Sequence, residues 1–551
     1  MSSKAPEPGD FFRLFSKTPN TSSESSPIWR LFAKPTSPNA SDAFAADSQK
    51  NCAVCHNDQE MFWAMQNLPV KEAPKHFLIC GTIGSGKTIG IQLFLQSIAH
   101  RFHSGNSVPE QLIVFDAKCD IIPVLAAMGL RPEDENVWIL NPFDERSATW
   151  NIGEAVQMPA MARALAHLLA PENKRSNAPF FGDSARELIY AVILALNKSA
   201  GPDWTLRDLL CALDSSERIA SVTANHPSAK RSVSRFLEDT EHSSSILSTL
   251  ASKLGRFEQV AALWSSNPHA RKFTINGFLD KPGVLVLGND SVLRDSFWPI
   301  NAILLKALAN EILRRPNTLQ PRHWFVLDEF RAMERVDCIH DLLNRGRSKG
   351  ASVLLGVQTV EGLVDIYGES GANEIISLCS YKTFLRTGSH KTAEWIEHFF
   401  NRIRRIETTV TDSKGPGGNS SSVQHSIQER SLFLASYFLD IPFPARGENY
   451  IAVCDVPLLH ETLIVKRPFD DVLSWCLQGD GVPNVVFRTN TDQQILWPWT
   501  PAEEQRFCGE PDKPSDPDEK PIETTSVKPR KKIELKPGRR STSDPGACST
   551  T

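Results

Sequence analysis

Three stretches of the chain carry residue types that act together on polyphosphates. In GTIGSGKT, residues 81–88, Gly81, Gly86, Lys87 and Thr88 stand at phosphate-loop spacing, with Thr82, Ile83, Gly84 and Ser85 completing the turn. Glycines at 81, 84 and 86 adopt backbone angles that a Cβ would resist, so successive N–H groups can face one centre. A concavity of that kind at the start of a helix attracts anions. Lys87 is then the group to reach the β- and γ-phosphates of ATP, and the Thr88 hydroxyl the one to ligate Mg2+.

The second stretch, HWFVLDEF at 323–330, ends a run of strand-formers in two acids. Asp328 is placed to hold Mg2+ and Glu329 to polarise an attacking water. A bare pair of acids at a strand end is an ordinary helix cap or loop start; beside a phosphate loop it reads as the second half of a hydrolytic site. The third stretch, NRGRSKGASVLLGVQT, supplies a basic cluster and an apolar strand ending at Gln358. Gln358 is a candidate sensor of the γ-phosphate or the water. Arg347 is a candidate arginine finger reaching a neighbouring subunit's phosphate. Against these stand a satisfied amide and a solvated basic loop.

Such groups need a scaffold. Short β-branched or aromatic runs over 76–80, 111–116, 137–140, 283–287, 324–328, 352–356 and 382–386 alternate with helical patterns, as in βαβ units with a mostly parallel sheet. From 153 to 271 the pattern turns to Ala-, Leu- and Ser-rich helices with no clear strand, which predicts an all-α insertion. The divisions expected are a tail over 1–50, the nucleotide-binding domain in two parts over 51–152 and 272–470, the insertion over 153–271, an extension over 471–500 and a charged tail over 501–551.

Composition bounds the rest. A chain of 551 residues is too long for one ordinary core. Hydrophobic residues at 41% and charged residues at 23% are those of a globular protein. A formal net charge of -4 excludes a surface that is basic throughout, so any DNA contact must be local. Arg402, Arg404 and Arg405, ahead of a Gly-rich turn, form one such local candidate, or else the charged edge of a strand. No stretch approaches the roughly 18–20 apolar residues of a membrane span, and the start MSSKAPEPGDFFRLF lacks the regions of a signal peptide. The eleven cysteines are therefore expected as reduced thiols, CAVCH at 52–56 included. In the Ser/Pro-rich tail, FRLFSK at 12–17 recurs as WRLFAK at 29–34, a pattern that suits reversible docking or chance similarity in a biased segment.

In the same order along the chain, GTIGSGKT, LIVFDAK, ILNPFDERSATWNI, FFGDSARELI, LDEF, GRSKGASVLLGVQT and the Tyr-Gly pair at 367–368 resemble the motif series of TraG/TraD-type coupling proteins of conjugation and type IV secretion. The resemblance runs from about 73 to 457, and the long gap between Lys87 and Asp328 fits it. It implies an α/β RecA-like P-loop NTPase with a mostly parallel sheet and an inserted all-α domain, related to the FtsK/HerA translocases. It further implies a homo-hexameric, DNA-stimulated ATPase that takes ATP and Mg2+, acts on single- or double-stranded DNA, and meets relaxosome and secretion components. Lys87, Thr88, Asp328 and Glu329 would carry hydrolysis, with Arg347 the trans-acting arginine and Gln358 the sensor. Asp116 and Lys118 fall in a family segment taken here only to shape the nucleotide crevice. Family members usually carry transmembrane helices before the motor; here a Ser/Pro-rich stretch stands there, so the expected location is cytoplasmic, peripheral at the inner membrane through partners. The competing readings are an ATP-gated docking platform, in which the tails and the insertion recruit cargo, and a HerA/FtsK-like DNA-processing ATPase.

Overall fold

The computed structural model describes residues 58–106, 108–172, 179–237, 240–266, 270–289, 294–400, 402–415, 418–479, 481–488 and 495–509, and for 179, 240–242, 402–415, 418–430 and 461 the backbone alone. The paired FRLF and WRLF segments, CAVCH and the charged run after 509 lie outside the described residues, as do the side chains of Arg402, Arg404 and Arg405.

Strands are numbered in chain order: β1 Glu60–Trp63, β2 Gln66–Pro69, β3 Phe77–Cys80, β4 Gln111–Phe115, β5 Val137–Leu140, β6 Thr149–Trp150, β7 Lys272–Phe273, β8 Gly283–Leu287, β9 His323–Leu327, β10 Ala351–Val357, β11 Tyr381–Phe384, β12 Arg402–Gly415, β13 Gly418–Ser431, β14 Asn449–Val456 and β15 Glu461–Pro468. Nine of them make one sheet in the order β15-β14-β11-β3-β10-β9-β4-β8-β5. From β11 to β5 every pairing is parallel, while β14 and β15 close one edge antiparallel. All seven expected strands are present at or within a few residues of their expected positions; the antiparallel edge was not foreseen.

The parallel strands are apolar at nearly every position because both faces are covered. Along β3, Leu78 and Cys80 join one core while Phe77 and Ile79 join the other. On the second face the helix Lys87–Ile98 packs Phe94 against Phe77 at 5.3 Å, and Phe77 stacks on Tyr381 at 5.3 Å. Aromatic pairs of this geometry add roughly 0.5–1.5 kcal/mol each beyond the area they bury. Together they anchor the strand that leads into the glycine loop.

The other face meets a helical block. Between Trp150 and Lys272 the described residues form helices, among them Pro159–Leu169, Pro179–Ala200, Leu206–Ala212, Ser216–Thr223 and Thr240–Leu254, and no strand. The chain leaves and re-enters at one point, where β6 and β7 pair in parallel, Trp150 opposite Phe273.

The stretch after 500 differs from expectation. Residues placed in a charged tail form the helix Pro501–Cys508, started by a capping box in which the Thr500 hydroxyl accepts from the Glu503 N–H and the Glu503 carboxylate accepts from the Thr500 N–H. Its acids are partnered: Arg207 holds Glu503 at 2.8 Å and Arg218 holds Glu504 at 2.9 Å. Trp499 is buried, stacks on Phe507 at 4.9 Å and donates its indole N–H to Asp208 at 3.0 Å. The segment thus clasps the helical block, and local acidity was a poor guide because its counter-ions lie hundreds of residues earlier. The basic run at 402–405 opens a hairpin, β12–β13, with Arg404 opposite Glu429 in register. No helix among the described residues is long and apolar enough to cross a membrane.

Candidate nucleotide site

The loops that follow β3, β4, β9 and β10 emerge at the same carboxyl edge of the sheet, because those strands run parallel and adjacent. That edge is where open α/β sheets hold ligands. A cavity of about 330 Å³ opens there, lined by Gly84, Lys87, Thr88, Lys118, Glu329 and Gln358 among others.

The glycine loop takes its shape from two residues in left-handed conformation, Gly84 at φ 77° and Gly86 at φ 92°. A Cβ on Gly86 would also stand 2.6 Å from the Tyr450 ring, and one on Gly81 would stand 2.5 Å from Ser85 Oγ. The loop is tied down by Gly81 N–H donating to Val357 O at 3.0 Å and Thr82 N–H to Arg386 O at 2.9 Å. Ser85 is buried beneath it, while Ile83 is exposed at its tip. Lys87 and Thr88 open the helix Lys87–Ile98, whose N-terminal dipole favours anions.

Asp328 and Glu329 reach this loop from β9 across the intervening β10. Lys87 Nζ lies 3.0 Å from Asp328 Oδ1 and 3.5 Å from Glu329 Oε2. Gln358 Nε2 donates to the same Glu329 oxygen at 2.5 Å. The crossing is feasible because β10 carries glycine beneath it: a Cβ on Gly356 would stand 2.8 Å from Asp328 Oδ1. Glu329 itself sits at φ 62°, ψ 52°, a left-handed conformation that costs a residue with a side chain on the order of 1–3 kcal/mol and is held by its surroundings. Burial alone would raise the Asp328 carboxyl, but the ammonium groups of Lys87 and Lys118 outweigh it and keep the group below the usual carboxylate range.

Lys118 was expected only to shape the crevice. Its Nζ lies 3.3 Å from Asp328 Oδ2 and donates to Thr88 Oγ1 at 3.1 Å. The loop bearing it is fixed by Asp116, which accepts the backbone N–H of Asp120 at 3.0 Å and of Ile121 at 3.4 Å. Burial pushes the Asp116 carboxyl up to about 6, and the nearby Asp120 charge adds to the rise. The signal in the sequence was a lysine placed two residues after an acid that ends a buried strand.

Arg347 lies elsewhere. It is exposed in the 3-10 turn Gly346–Lys349 that precedes β10, at the amino edge of the sheet, opposite the cavity. Its neighbourhood includes the buried His76, whose ring is held neutral: Nδ1 accepts the Val353 N–H at 3.2 Å, so Nε2–H donates to Leu343 O at 2.8 Å. The chain therefore brings together Lys87, Thr88, Asp328, Glu329 and Gln358, and leaves Arg347 outside its own site. Among the described residues no group of three or more His, Cys, Asp or Glu is arranged to hold a metal.

Comparison with known proteins gives the family and the fold. Residues 60–452 match the family described as type IV secretion-system coupling protein DNA-binding domain. The type IV secretion system-coupling protein VirD4 of Bartonella henselae is 24% identical over 346 residues, which cover 59% of this chain and 54% of that protein. The coupling protein TraD of Escherichia coli is 23% identical over 378 residues, 67% of this chain and 50% of that one. The chain thus spans about half the length of the curated relatives it matches. In fold it is similar to the solved plasmid coupling protein TrwB in complex with ADP and Mg2+, at 17% identity and a TM-score of 0.56, covering 78% of this chain and 93% of that one.

Proposed function

The chain belongs to the type IV secretion-system coupling protein family, and from that premise we propose that it is a magnesium-dependent ATPase that drives DNA, delivered with its relaxase, toward a secretion or conjugation channel. The observation that carries this reading is the meeting of Lys87, Thr88 and Glu329 at one cavity, with Asp328 paired to Lys87 beside it.

The chemistry follows from the residues. Lys87, largely buried and aimed across the glycine loop, binds the β- and γ-phosphates, exchanging its carboxylate partners for phosphate oxygens. The donor set suits magnesium, which is commonly held by one or two carboxylates and the substrate's phosphates rather than by an all-protein cage. Asp328 and the Thr88 hydroxyl would hold it, and when bound it neutralises charge on the phosphates. Glu329 Oε2 takes the proton of the attacking water, and Gln358, already bonded to that oxygen, keeps the carboxylate oriented. Arg347, exposed at the far edge, is free to serve a neighbouring subunit's site in a homo-hexamer, which is the arrangement we propose. DNA is held by cationic loops of the ring without reading bases, with the Arg402–Gly415 strand one candidate. We place the protein at the cytoplasmic face of the inner membrane, recruited by secretion partners.

The test compares ATP hydrolysis with and without single- and double-stranded DNA, for the native chain and for Glu329→Gln. DNA is expected to stimulate the native chain, and the substitution to abolish turnover while nucleotide binding persists. Hydrolysis unchanged by DNA would favour an ATP-gated docking platform instead.

A further inference from the structure

Lys118 touches two groups on two different loops, and both are those assigned above to the metal. Its Nζ donates to Thr88 Oγ1 at 3.1 Å and pairs with Asp328 Oδ2 at 3.3 Å, while Lys87 pairs with the other oxygen, Oδ1, at 3.0 Å. The Asp328 carboxylate is thus shared between two ammonium groups. We propose that Lys118 is a tethered cation that occupies the metal's place until nucleotide arrives and then moves onto the phosphates, so that metal enters with the nucleotide and not before it. This inference rests on the nucleotide-site reading above and deepens it.

Three features support a side chain that leaves and a backbone that stays. The two lysines differ in access: the Lys87 side chain is 6% exposed and the Lys118 side chain 42%. Lys118 stands at the solvent side of the cavity on a four-carbon stem, free to swing. Its loop, by contrast, is braced by the Asp116 carboxylate and by the Cys119 thiol donating to Asn289 O at 2.8 Å, with Cys119 itself at φ 57°.

The electrostatics require the exchange. An ammonium and a divalent cation cannot both sit between Thr88 Oγ1 and Asp328 Oδ2. Free metal must therefore displace Lys118 with nothing to receive its charge. When triphosphate is present, the displaced ammonium gains charge-assisted contacts to a more highly charged group, and these outweigh the one it lost. Lys118 thereby disfavours bare metal and favours metal with nucleotide.

The experiment uses the full chain with Lys118→Met, which keeps the stem and removes the charge, and Lys118→Arg, which keeps the charge. Binding of Mn2+ alone is read by electron paramagnetic resonance, and binding of a fluorescent N-methylanthraniloyl ATP with Mg2+ by its emission. Lys118→Met is expected to bind free Mn2+ several-fold tighter and the labelled nucleotide about tenfold weaker; Lys118→Arg is expected to recover most of the nucleotide affinity. A side chain with a merely structural role would shift the melting temperature and would not move the two affinities in opposite directions. Unchanged Mn2+ affinity, or unchanged nucleotide affinity, in Lys118→Met overturns the proposal. Failure of the native chain to bind the labelled nucleotide would instead sink the nucleotide-site reading, which separates the two.

Discussion

Lys87 Nζ and Asp328 Oδ1 stand 3.0 Å apart, one at the first turn of a helix and the other at the end of a strand two places away in the sheet. The pair is the junction at which two distant segments of sequence become one site. Replacing Lys87 by Met removes the proposed phosphate ligand together with the nearer of the two charges that hold Asp328 ionised. ATP hydrolysis is expected to fall by about 10²–10³ or more, the range seen when a preorganised charge-stabilising group is lost. Arg at this position should not restore it, since a broad guanidinium does not replace a compact ammonium here. Steady-state phosphate release on the three proteins checks both statements.

Gly356 supplies a subtler test, because it touches no ligand. Alanine there would bring a Cβ to 2.8 Å from Asp328 Oδ1 and 3.2 Å from the Asp328 backbone. Either the carboxylate withdraws from Lys87 or β10 shifts against β9, and overpacking of this kind costs about 1–3 kcal/mol. We expect a lowered denaturant midpoint and a lowered kcat, with the protein still folded by circular dichroism. Full activity in Gly356→Ala would mean that Asp328 need not lean across β10.

Stability should decline on mild acidification. His76 is buried with its pKa lowered to about 4 and His323 with its pKa lowered to about 3, in each case first by burial. A native state that refuses a proton the unfolded chain accepts loses stability as pH falls below the unfolded value of about 6.5 toward those folded values. Each group contributes a slope of about 1.4 kcal/mol per pH unit within its window. Asp116, raised to about 6, works the other way: the unfolded chain ionises first, so stability falls as pH rises from about 4 to 6. Of these three groups, the two histidines outweigh the one carboxyl, so together they contribute a loss toward acid. Urea midpoints at pH 7 and pH 5 measure it, and Asp116→Asn should steepen the decline.

The clasp made by the last described residues predicts a large effect far from the cavity. Trp499→Ala removes a buried indole, its stack on Phe507 and the donor that satisfies Asp208 Oδ1. Losses of about 3–5 kcal/mol are usual for a buried Trp. Proteolysis within the helical block should accelerate before the sheet unfolds, whereas equal rates in both proteins would show that the clasp contributes little.

What the sequence disclosed, and what it withheld, divides along physical lines. The seven parallel strands were legible because strands buried on both faces read as continuous apolar runs bounded by turns. The glycine loop and the two acids were legible because their spacing is local. The β1–β2 hairpin was not, since its turn runs through Ala64 and Met65 at positive φ, without the Gly or Asn that announces such turns. The helix Pro501–Cys508 was missed although its capping box was in plain view, because acidic composition outweighed it. The contacts of Lys118 and Gly356 with Asp328 were not legible for a further reason: only the sheet order sets these residues beside that carboxylate.

The pairing of β3 has a bearing on how the chain is made. This apolar strand is translated hundreds of residues before both its neighbours, β10 and β11. Until they arrive, Phe77–Cys80 has no edge to join, and such an exposed run is a hazard for intermolecular association. ATP cannot guard against it, for the pocket that would capture nucleotide does not exist until those late strands close around the early one. Nucleotide binding can therefore contribute nothing to the stability of this strand before β10 and β11 are made.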